Sequence, residues 1–452
     1  MSEVKVPDGW VATKLGKYIA LKNGFAFKSS DYIQSKSNTQ PIIRISNLVN
    51  NIVSLDKAVQ IVISPNFDDF VVEKGDLLIA MSGATTGKIG IYHSAIPAYQ
   101  NQRVGNLKLI NRSLSSEEFR NFLIQYLSPS ILEIAYGGAQ PNISKSKIED
   151  IDFIIPPLAE QKEIARLLEQ HLAQVEQITA NLAAIPKLLT TFRQSVLADA
   201  VSGKLTTDRM GNKDTDNWKY VTIGEISDVK TGSTPSRKNL KYWEDVSIPW
   251  LTSSATGKDF CYQPKEYVSK VAVKECNLKL HPVGSLMLAM YGEGKTRGQV
   301  TELMFEATCN QACAIIIVNN DVNHRYVKIR LKEHYAEIRL KAAGGNQPNL
   351  NLSKVRDITI NIPPLEEQNE IVSRVEELFA FADNIERQVQ SATEHVNLLT
   401  QSILAKAFRG ELTADWRKQN PELISGENSA EALLAKIQAQ IKVDKANKKT
   451  KS

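Results

Sequence analysis

The segment IPPLAEQKEI at residues 155–164 returns as IPPLEEQNEI at residues 362–371, an offset of 207 residues. The segments on either side return at the same offset: GGAQPNIS (137–144) as GGNQPNLN (344–351), and SVLADAVSGKLT (195–206) as SILAKAFRGELT (402–413). Self-similarity at a fixed period indicates a repeated structural unit. We therefore expect an internal pseudo-twofold repeat of about 207 residues.

The residues after each Pro-Pro pair have the spacing of a coiled coil. Apolar positions recur in steps of four and three for more than four heptads in both copies, which predicts two long helices with one apolar seam each. About 40 residues would make a rod of roughly 60 Å. The predicted seam residues are Ile164, Leu168, Val175, Ile178, Leu182, Leu189, Ile371, Val375, Leu378, Ile385, Val389, Val396 and Leu399.

Each helix needs a partner for its seam, and the simplest partner is the other helix. We expect antiparallel packing, because parallel helices would crowd the domains that precede them at one end. Gly203 and Gly410 are predicted to end the two helices. Pro186 is predicted to kink or split the first helix.

The segment before each helix alternates short β-type runs with turns, which predicts a compact α/β domain. The fold class is therefore α+β, with two such domains separated by the helices. Expected strands are Ile42–Ile45, Ile61–Ile63, Leu77–Met81, Val104–Ile110 and Ile151–Ile155, and expected helices are Ser116–Leu127 and Val327–Lys341. Predicted boundaries are 1–155 and 207–362 for the domains, 156–206 and 363–413 for the helical spacers, and 414–452 for a C-terminal extension.

Composition and charge restrict the class of protein. The chain has 452 residues, 23% of them charged, and no run of 18 apolar residues or apolar leader, so we expect no membrane segment and a cytoplasmic location. Residues 218–362 carry 20 Lys and Arg against 14 Asp and Glu, a net +6, whereas residues 364–413 carry 4 against 9, a net −5. Alternating basic and acidic segments suggest that the basic ones meet a polyanion. Ordinary surface charge is the alternative.

The loops of both domains are rich in side chains suited to DNA. Arg and Lys can bond guanine edges, Asn and Gln can bond adenine edges, and Ser, Thr and Lys can hold phosphates. Turn formation alone would also favour Gly, Ser, Thr and Asn in these loops. The candidate DNA-binding residues are Lys22, Asn23, Lys28, Arg44, Ser46, Asn47, Ser82, Thr85, Thr86, Lys88, Gln100, Gln102, Arg103, Lys230, Thr231, Ser233, Thr234, Arg237, Lys238, Thr252, Ser253, Tyr291, Lys295, Thr296 and Arg297.

Motifs that suggest catalysis are incomplete. Gly294-Lys295-Thr296 lacks the first glycine of a phosphate-binding loop, since position 289 is alanine. The Pro-Pro pairs follow Ile155 and Ile362, where an adenine methyltransferase needs Asn or Asp. The four cysteines have no CxxC spacing and no nearby histidine pair, so neither a zinc site nor a disulfide framework is expected. We predict no catalytic residues, no metal and no bound cofactor.

The doubled pattern resembles the specificity subunit of type I restriction-modification enzymes. The resemblance covers residues 5 to 415 and includes Pro-Pro-Leu-x-Glu-Gln, Gly-x-Leu-Thr, GGxQPN, Ala-Met-x-Gly and the Asn-Gln pairs. It implies that each variable domain is a target-recognition domain reading one half of an asymmetric bipartite sequence in double-stranded DNA. It further implies that the helices fix the gap and dock two modification subunits, which methylate adenine with S-adenosylmethionine. Restriction subunits would add ATP- and Mg²⁺-dependent translocation and cleavage.

Two other classes of protein stay open at this point. A coiled-coil interaction adaptor would use the domains to bind proteins and would lack DNA specificity. A self-contained methyltransferase or ATPase would need the motifs that are broken here. Within the family, a subunit serving methylation without restriction is a further alternative. The role of residues 414–452 is also open: they could close the molecule near the N-terminus, bind DNA loosely, or be disordered.

Overall fold

A computed structural model describes residues 6–33, 37–136, 141–207, 217–292, 295–342 and 349–449. By internal contacts the chain divides into two compact units, Met1–Asn181 with Thr393–Ser452, and Leu182–Ala392. Each unit is considered by itself below, as the first unit and the second unit. The GGxQPN segments fall partly outside the described residues.

Helices and strands are mixed in both units. The helices are α1 (Glu117–Tyr136), α2 (Lys145–Glu149), α3 (Leu158–Val201), α4 (Ile223–Ile226), α5 (Lys270–Glu275), α6 (His324–Glu333), α7 (Tyr335–Ala342), α8 (Leu352–Arg356), α9 (Leu365–Phe408), α10 (Ala414–Gln419) and α11 (Ala430–Lys449). The strands of the first unit are β1 (Val11–Lys14), β2 (Ile19–Asn23), β3 (Thr39–Ile43), β4 (Leu48–Val49), β5 (Asn51–Val53), β6 (Val59–Val62), β7 (Val71–Val72), β8 (Leu77–Ala80), β9 (Ile89–Ile91), β10 (Ala98–Gln100), β11 (Val104–Leu109) and β12 (Asp152–Ile155). Those of the second unit are β13 (Lys219–Thr222), β14 (Ser227–Thr231), β15 (Ile248–Leu251), β16 (Phe260–Cys261), β17 (Glu266–Val268), β18 (Leu286–Ala289), β19 (Val300–Leu303), β20 (Thr308–Cys309), β21 (Cys313–Val318) and β22 (Thr359–Ile362).

The sheets of the two units have matching orders, as the sequence repeat requires. The first unit has sheets β2-β11-β8-β9-β5-β4 and β6-β3-β10-β7 and an antiparallel ribbon β1-β12. The second has sheets β14-β21-β18-β19-β16 and β17-β15-β20 and an antiparallel ribbon β13-β22. Strands β8 and β18 are buried along their whole length, which explains their unbroken apolar sequences LLIA and LMLA.

The predicted elements are found, with shifted ends. Helix α1 continues past Leu127 to Tyr136 although Pro129 lies inside it. The helix expected over 327–341 is two helices, because α6 ends at Glu333 and α7 starts at Tyr335. The strand expected at Ile42–Ile45 ends at Ile43.

The long helices pair antiparallel, which confirms the predicted orientation. In the first unit the start of α3, at Ile164 and Leu168, shares a core with the end of α9, at Leu404 and Phe408. In the second unit the end of α3 lies with the start of α9, as Val196 and Ile371 share a core. An ion pair of 2.6 Å from Arg193 to Asp383 joins the same two segments.

The helix ends follow the sequence, and the first long helix runs through its interior proline without a break. Gly203 and Gly410 adopt left-handed φ values of 76° and 75°, which most side chains avoid, two residues after the last residues of α3 and α9. Helix α3 is not split at Pro186, which lies within its span on an exposed face.

The seam residues are most buried near the helix ends. Ile164, Leu168, Leu189, Ile371, Val375 and Val396 are buried, and Val175, Leu182, Leu378, Ile385 and Val389 are half-buried. Ile178 and Leu399 differ from the expectation, being 43% and 41% exposed. Both belong to the first unit and are absent from the core that includes Ile164 and Leu168, so part of the apolar stripe is exposed.

The C-terminal extension folds onto the first unit as far as it is described. Leu433 and Ile437 of α11 belong to the same core as Trp10. The amide of Ala430 donates to the carbonyl of Gly9 at 3.3 Å. Of the three possibilities left open by the sequence, the structure shows the first, since these residues pack beside the N-terminal segment.

Candidate nucleic-acid interface

Four polar loops of the first unit converge, and we name residues 22–28, 44–47, 82–88 and 100–103 the first loop cluster. Backbone hydrogen bonds join Phe25 N to Gln100 O at 2.9 Å, Asn101 N to Ile43 O at 3.0 Å and Met81 N to Arg103 O at 2.9 Å. A Cβ atom on Gly24 would lie 2.2 Å from the carbonyl oxygen of Asn101, so only glycine fits there. Segments far apart in sequence therefore form one fixed surface.

The second unit has an equivalent surface, the second loop cluster, formed by residues 230–238, 251–254, 290–292, 295–298 and 309–312. The hydrogen bonds that join it run from Thr231 Oγ1 to Cys313 O at 2.7 Å, Asn310 N to Leu251 O at 2.9 Å and Met290 N to Ala312 O at 2.8 Å. Gly232 is the counterpart of Gly24, and its Cβ would lie 1.7 Å from the carbonyl oxygen of Cys309. Gly24 and Gly232, which lie 208 residues apart, are thus both required by a backbone carbonyl that leaves no room for a Cβ atom.

The candidate DNA-binding residues lie in these two clusters but differ in exposure. Exposed residues are Lys22, Asn23, Lys28, Ser46, Lys88, Gln102, Arg103, Thr234, Arg237, Lys238, Tyr291 and Lys295. Half-buried residues are Arg44, Ser82, Thr85, Lys230, Thr231, Ser233, Thr252, Ser253, Thr296 and Arg297. The exposed set is strongly basic, which suits contact with a polyanion.

Three candidates are buried and need correction. The amide nitrogen of Asn47 donates to the carbonyl of Ser54 at 3.0 Å, and the Thr86 hydroxyl donates to the carbonyl of Gly83 at 2.6 Å. The amide nitrogen of Gln100 donates to two carbonyls, of Lys22 at 2.7 Å and Val104 at 2.6 Å. Asn47, Thr86 and Gln100 therefore hold the loops in place rather than present groups to a ligand.

Two cations of the second loop cluster already have partners. The Arg237 guanidinium lies 3.7 Å from the ring centroid of Trp243 and pairs with Glu266. Lys230 pairs with Asp228. A guanidinium stacked on an aromatic ring is held in one orientation, which favours directional bonding by its free edge.

The loops after β8 and β18 are related but unequal. The Gly87 amide donates to the carbonyl of Ala80 at 2.8 Å, and the Gly298 amide donates to that of Ala289 at 2.9 Å. These equivalent bonds close a loop that is two residues longer in the second unit. The two loops are therefore closed by the same backbone hydrogen bond but differ in length and in side chains.

In each unit the side chains of the repeated Glu-Gln pair form hydrogen bonds within the protein instead of contacting a ligand. In the first unit Glu160 is fully buried and accepts hydrogen bonds from Trp10 Nε1 at 2.8 Å, Thr413 Oγ1 at 2.6 Å and Arg417 Nε at 3.1 Å. Burial raises the pKa of Glu160, although these donors and the charge of Arg417 oppose the rise. The end of α9 is thereby tied to the start of α3.

The second unit has the equivalent contact, but here the glutamate lies at the start of α9 and its threonine partner follows the end of α3. Thr206, after the end of α3, donates to Glu367 Oε1 at 3.3 Å. The Gln368 amide donates to the Pro363 carbonyl at 2.8 Å, as Gln161 does to Pro156 at 2.9 Å. Sequence reasoning used these residues only as repeat markers. Their exact recurrence was the signal of a shared structural contact.

A cavity of about 1030 Å³ in the second unit lies beside a buried ion network. Glu302 accepts from Lys328 Nζ at 2.6 Å and pairs with Arg325 at 3.2 Å and His324 at 3.1 Å. Burial raises the pKa of Glu302, but the hydrogen bonds from His324 and Lys328 and the charges of Lys328 and Arg325 outweigh it and lower the pKa to about 2. Burial lowers the pKa of Lys328 despite the opposing effect of Glu302. The network fixes the start of α6 on β19.

Metal-binding clusters and membrane-spanning helices are both absent from the described residues. These residues contain no group of three or more His, Cys, Asp or Glu side chains placed to hold a metal ion. No helix among them is long and apolar enough to cross a bilayer.

Comparisons with known proteins agree with this geometry. The family model for the type I restriction modification DNA specificity domain matches residues 7–187 and again residues 215–395. The chain is 32% identical to the StySPI specificity subunit of Salmonella potsdam, over 97% of each chain. It is 32% identical to the EcoBI specificity subunit of Escherichia coli, over 97% of this chain and 93% of the relative.

Solved structures share the fold. A chain from a structure described as the basis of complex assembly and conformational transition of the type I R-M system superposes with a TM-score of 0.68 at 18% identity, covering 90% of this chain and 99% of its own. The HsdS subunit from Thermoanaerobacter tengcongensis gives a TM-score of 0.64 at 17% identity, covering 91% and 99%.

Proposed function

Because the chain belongs to the family of type I restriction enzyme specificity subunits, we propose that it reads a bipartite DNA target, one half with each loop cluster. The observation that carries this proposal is the convergence of basic and amide side chains on two rigid surfaces, one in each repeat. The surfaces differ in sequence, so the two half-sites differ as well.

Within each cluster the residues divide by chemistry. The exposed cations, such as Lys88 and Lys295, hold phosphates and set the register of the protein on the duplex. Exposed Asn, Gln and Arg side chains, such as Asn23, Gln102 and Arg103, read base edges in the major groove. The fixed loop backbones supply the positional accuracy that base reading requires.

We propose that the paired helices set the gap between the half-sites and dock two modification subunits. Exposed apolar side chains on the helices support docking: Ile178 and Leu398 are 43% and 70% exposed in the first unit, and Leu188 and Phe381 are 64% and 59% exposed in the second. Apolar helix positions left open to water are typical of a surface that receives further helices.

The chemistry is assigned to the partners. Modification subunits would supply S-adenosylmethionine and adenine methylation, and restriction subunits would supply ATP- and Mg²⁺-dependent translocation and cleavage. The chain itself would act as a specificity subunit without catalysis. In functional terms we assign target recognition to residues 1–155 and 207–362, spacing to 156–206 and 363–413, and closure of the first unit to 414–452.

The test is to co-express the chain with modification subunits from the same genome and to map methylated adenines on the host DNA. One split motif with two different halves, lost when this gene is deleted, is the expected result. Two identical inverted halves would refute the difference between the clusters. Unchanged methylation with an active modification subunit would leave a coiled-coil adaptor as the better account.

A second experiment tests the spacer. Inserting one heptad into α3 and the matching heptad into α9 keeps both seams in phase. The gap of the methylated motif should change while both half-site sequences stay the same. A change in either half-site sequence would contradict the proposed division of roles.

A further inference from the structure

An exposed aromatic side chain stands among the polar residues of the first loop cluster. Phe25 is 37% exposed and lies in the same loop as Asn23. Its amide donates to the Gln100 carbonyl at 2.9 Å, and its carbonyl accepts from the Gln102 amide at 2.8 Å. These bonds hold the Phe25 backbone against the loop that carries Gln102 and Arg103, within the surface proposed to meet DNA.

The Phe25 ring also packs against three other phenylalanine rings. Its centroid lies 5.0 Å from that of Phe27 and 5.2 Å from those of Phe67 and Phe70, all tilted or edge-on. Aromatic rings at these separations attract one another. Phe27 is buried at 8% exposure, so the support is part of a core. An exposed aromatic held this way loses little conformational entropy when it binds a flat ligand.

The second loop cluster has no such ring at the equivalent place. Gly24 corresponds to Gly232, so Phe25 corresponds to Ser233, whose hydroxyl donates to the carbonyl of Cys276 at 3.0 Å. An aromatic residue is therefore no requirement of the loop. Its presence in one repeat alone points to a use in one recognition surface.

We propose that Phe25 wedges into a base step of the half-site read by the first loop cluster and stacks on the face of one nucleobase. This inference rests on the proposed function and extends it from edge reading to stacking. Apolar side chains inserted between base pairs unstack and kink the duplex. The deformation costs least at flexible pyrimidine–purine steps, so the residue would add specificity through shape.

The experiment uses the full chain with its modification subunits and duplexes carrying the mapped target. The variants are Phe25→Ala, Phe25→Tyr and Phe25→Leu, with Val62→Ala as control, because Val62 is an apolar residue 51% exposed on β6. Each is titrated against the intact target and against duplexes in which every base of both half-sites is replaced in turn by an abasic residue. Thermal unfolding of each variant confirms that it is folded.

If the ring stacks, Phe25→Ala weakens binding about 5- to 150-fold, the range for loss of one base–aromatic stack. Phe25→Tyr keeps the affinity, Phe25→Leu does not restore it, and Val62→Ala leaves it unchanged. The loss disappears on abasic duplexes at one position, within one half-site only. The salt dependence stays the same because no phosphate contact is removed.

Several results would overturn the inference. Affinity of Phe25→Ala within twofold of wild type, full recovery by leucine, or an equal loss on every abasic duplex would each exclude stacking by this ring. A wild-type complex that does not distinguish its mapped target from a scrambled duplex would instead refute the proposed function. The two failures are therefore separable in one data set.

Discussion

Replacing Gly232 by alanine should damage the second loop cluster and leave the first intact. The added Cβ would lie 1.7 Å from the carbonyl oxygen of Cys309 and 2.5 Å from its carbonyl carbon. That carbonyl cannot easily withdraw, since β20 pairs with β15 at Leu251 and the next amide, of Asn310, donates to the Leu251 carbonyl. The loop at Gly232 must therefore move away from the strand.

The size of the effect follows from the overlap. Real Cβ atoms stay about 3.0 Å or more from such neighbours, so a shift of over about 1 Å is required. Overpacking of this kind costs about 1–3 kcal/mol. Losing the nearby hydrogen bond from Thr231 to the Cys313 carbonyl adds about 1 kcal/mol. The free energy of unfolding of the second unit should fall by about 2–4 kcal/mol.

The assays are urea unfolding and mapping of methylated adenines in cells carrying the variant complex. Gly232→Ala should lose discrimination at one half-site only, and Gly24→Ala, with its Cβ 2.2 Å from the Asn101 oxygen, should lose it at the other. Gly257→Ala is the control, because nothing lies within 4 Å of its added Cβ. A Gly232→Ala protein with unchanged stability and an unchanged motif would refute the reasoning.

Substitutions at three kinds of site give separate tests: exposed lysines, the threonine partners of buried glutamates, and the ion network of Glu302. Lys88→Ala or Lys295→Ala should lower the magnitude of the salt slope of DNA binding by about 1 without altering the motif, and an unchanged slope would remove that residue from the interface. Thr413→Val removes the hydroxyl that donates to buried Glu160 at 2.6 Å, so the free energy of unfolding measured in urea should fall by about 1–3 kcal/mol. Thr206→Val, which breaks the longer 3.3 Å bond to Glu367, should cost less, and the reverse order would contradict this account. Because the pKa of Glu302 is lowered from 4.5 to about 2, its ionised form should add about 3 kcal/mol to the free energy of unfolding above pH 4.5. This contribution should be lost as the pH falls towards 2. Glu302→Gln should flatten this acid-side decline in the free energy of unfolding, and a decline equal to that of wild type would exclude the network as its source.

The sequence predicted the helices well because their signal is local and repetitive. The heptad spacing depends on residues three and four apart, so α3 and α9 could be located without knowing any distant contact. Burial along the seam depends on what covers the helices from outside, and for this reason Ile178 and Leu399 could not be identified as exposed. Helix α3 continues through Pro186, so the missing amide hydrogen bond at this proline does not end the helix.

The exposure of the loop side chains, in contrast to the long helices, could not be predicted from local sequence. The composition of the loops indicated binding, but which side chains face outwards is decided by hydrogen bonds between segments distant in sequence. Gln100 has the chemistry of an adenine reader, yet its amide is bonded to Lys22 and Val104. Phe25 has no polar group to suggest recognition, and its proposed role depends on its position on the aromatic cluster.

The contacts of the two glutamates are reciprocal: Glu160 of α3 bonds Thr413 after α9, and Glu367 of α9 bonds Thr206 after α3. This reciprocity has a consequence for how such a chain could have arisen. A polypeptide with a single repeat would carry both a glutamate like Glu160 and a threonine like Thr206, and it could satisfy them by pairing with an identical molecule. Such a homodimer would be restricted to palindromic targets. Gene duplication and fusion would remove that restriction while preserving the reciprocal clasp. Selection would then hold the Pro-Pro and helix-end segments constant and let the recognition loops diverge, which is the uneven similarity that the two repeats display.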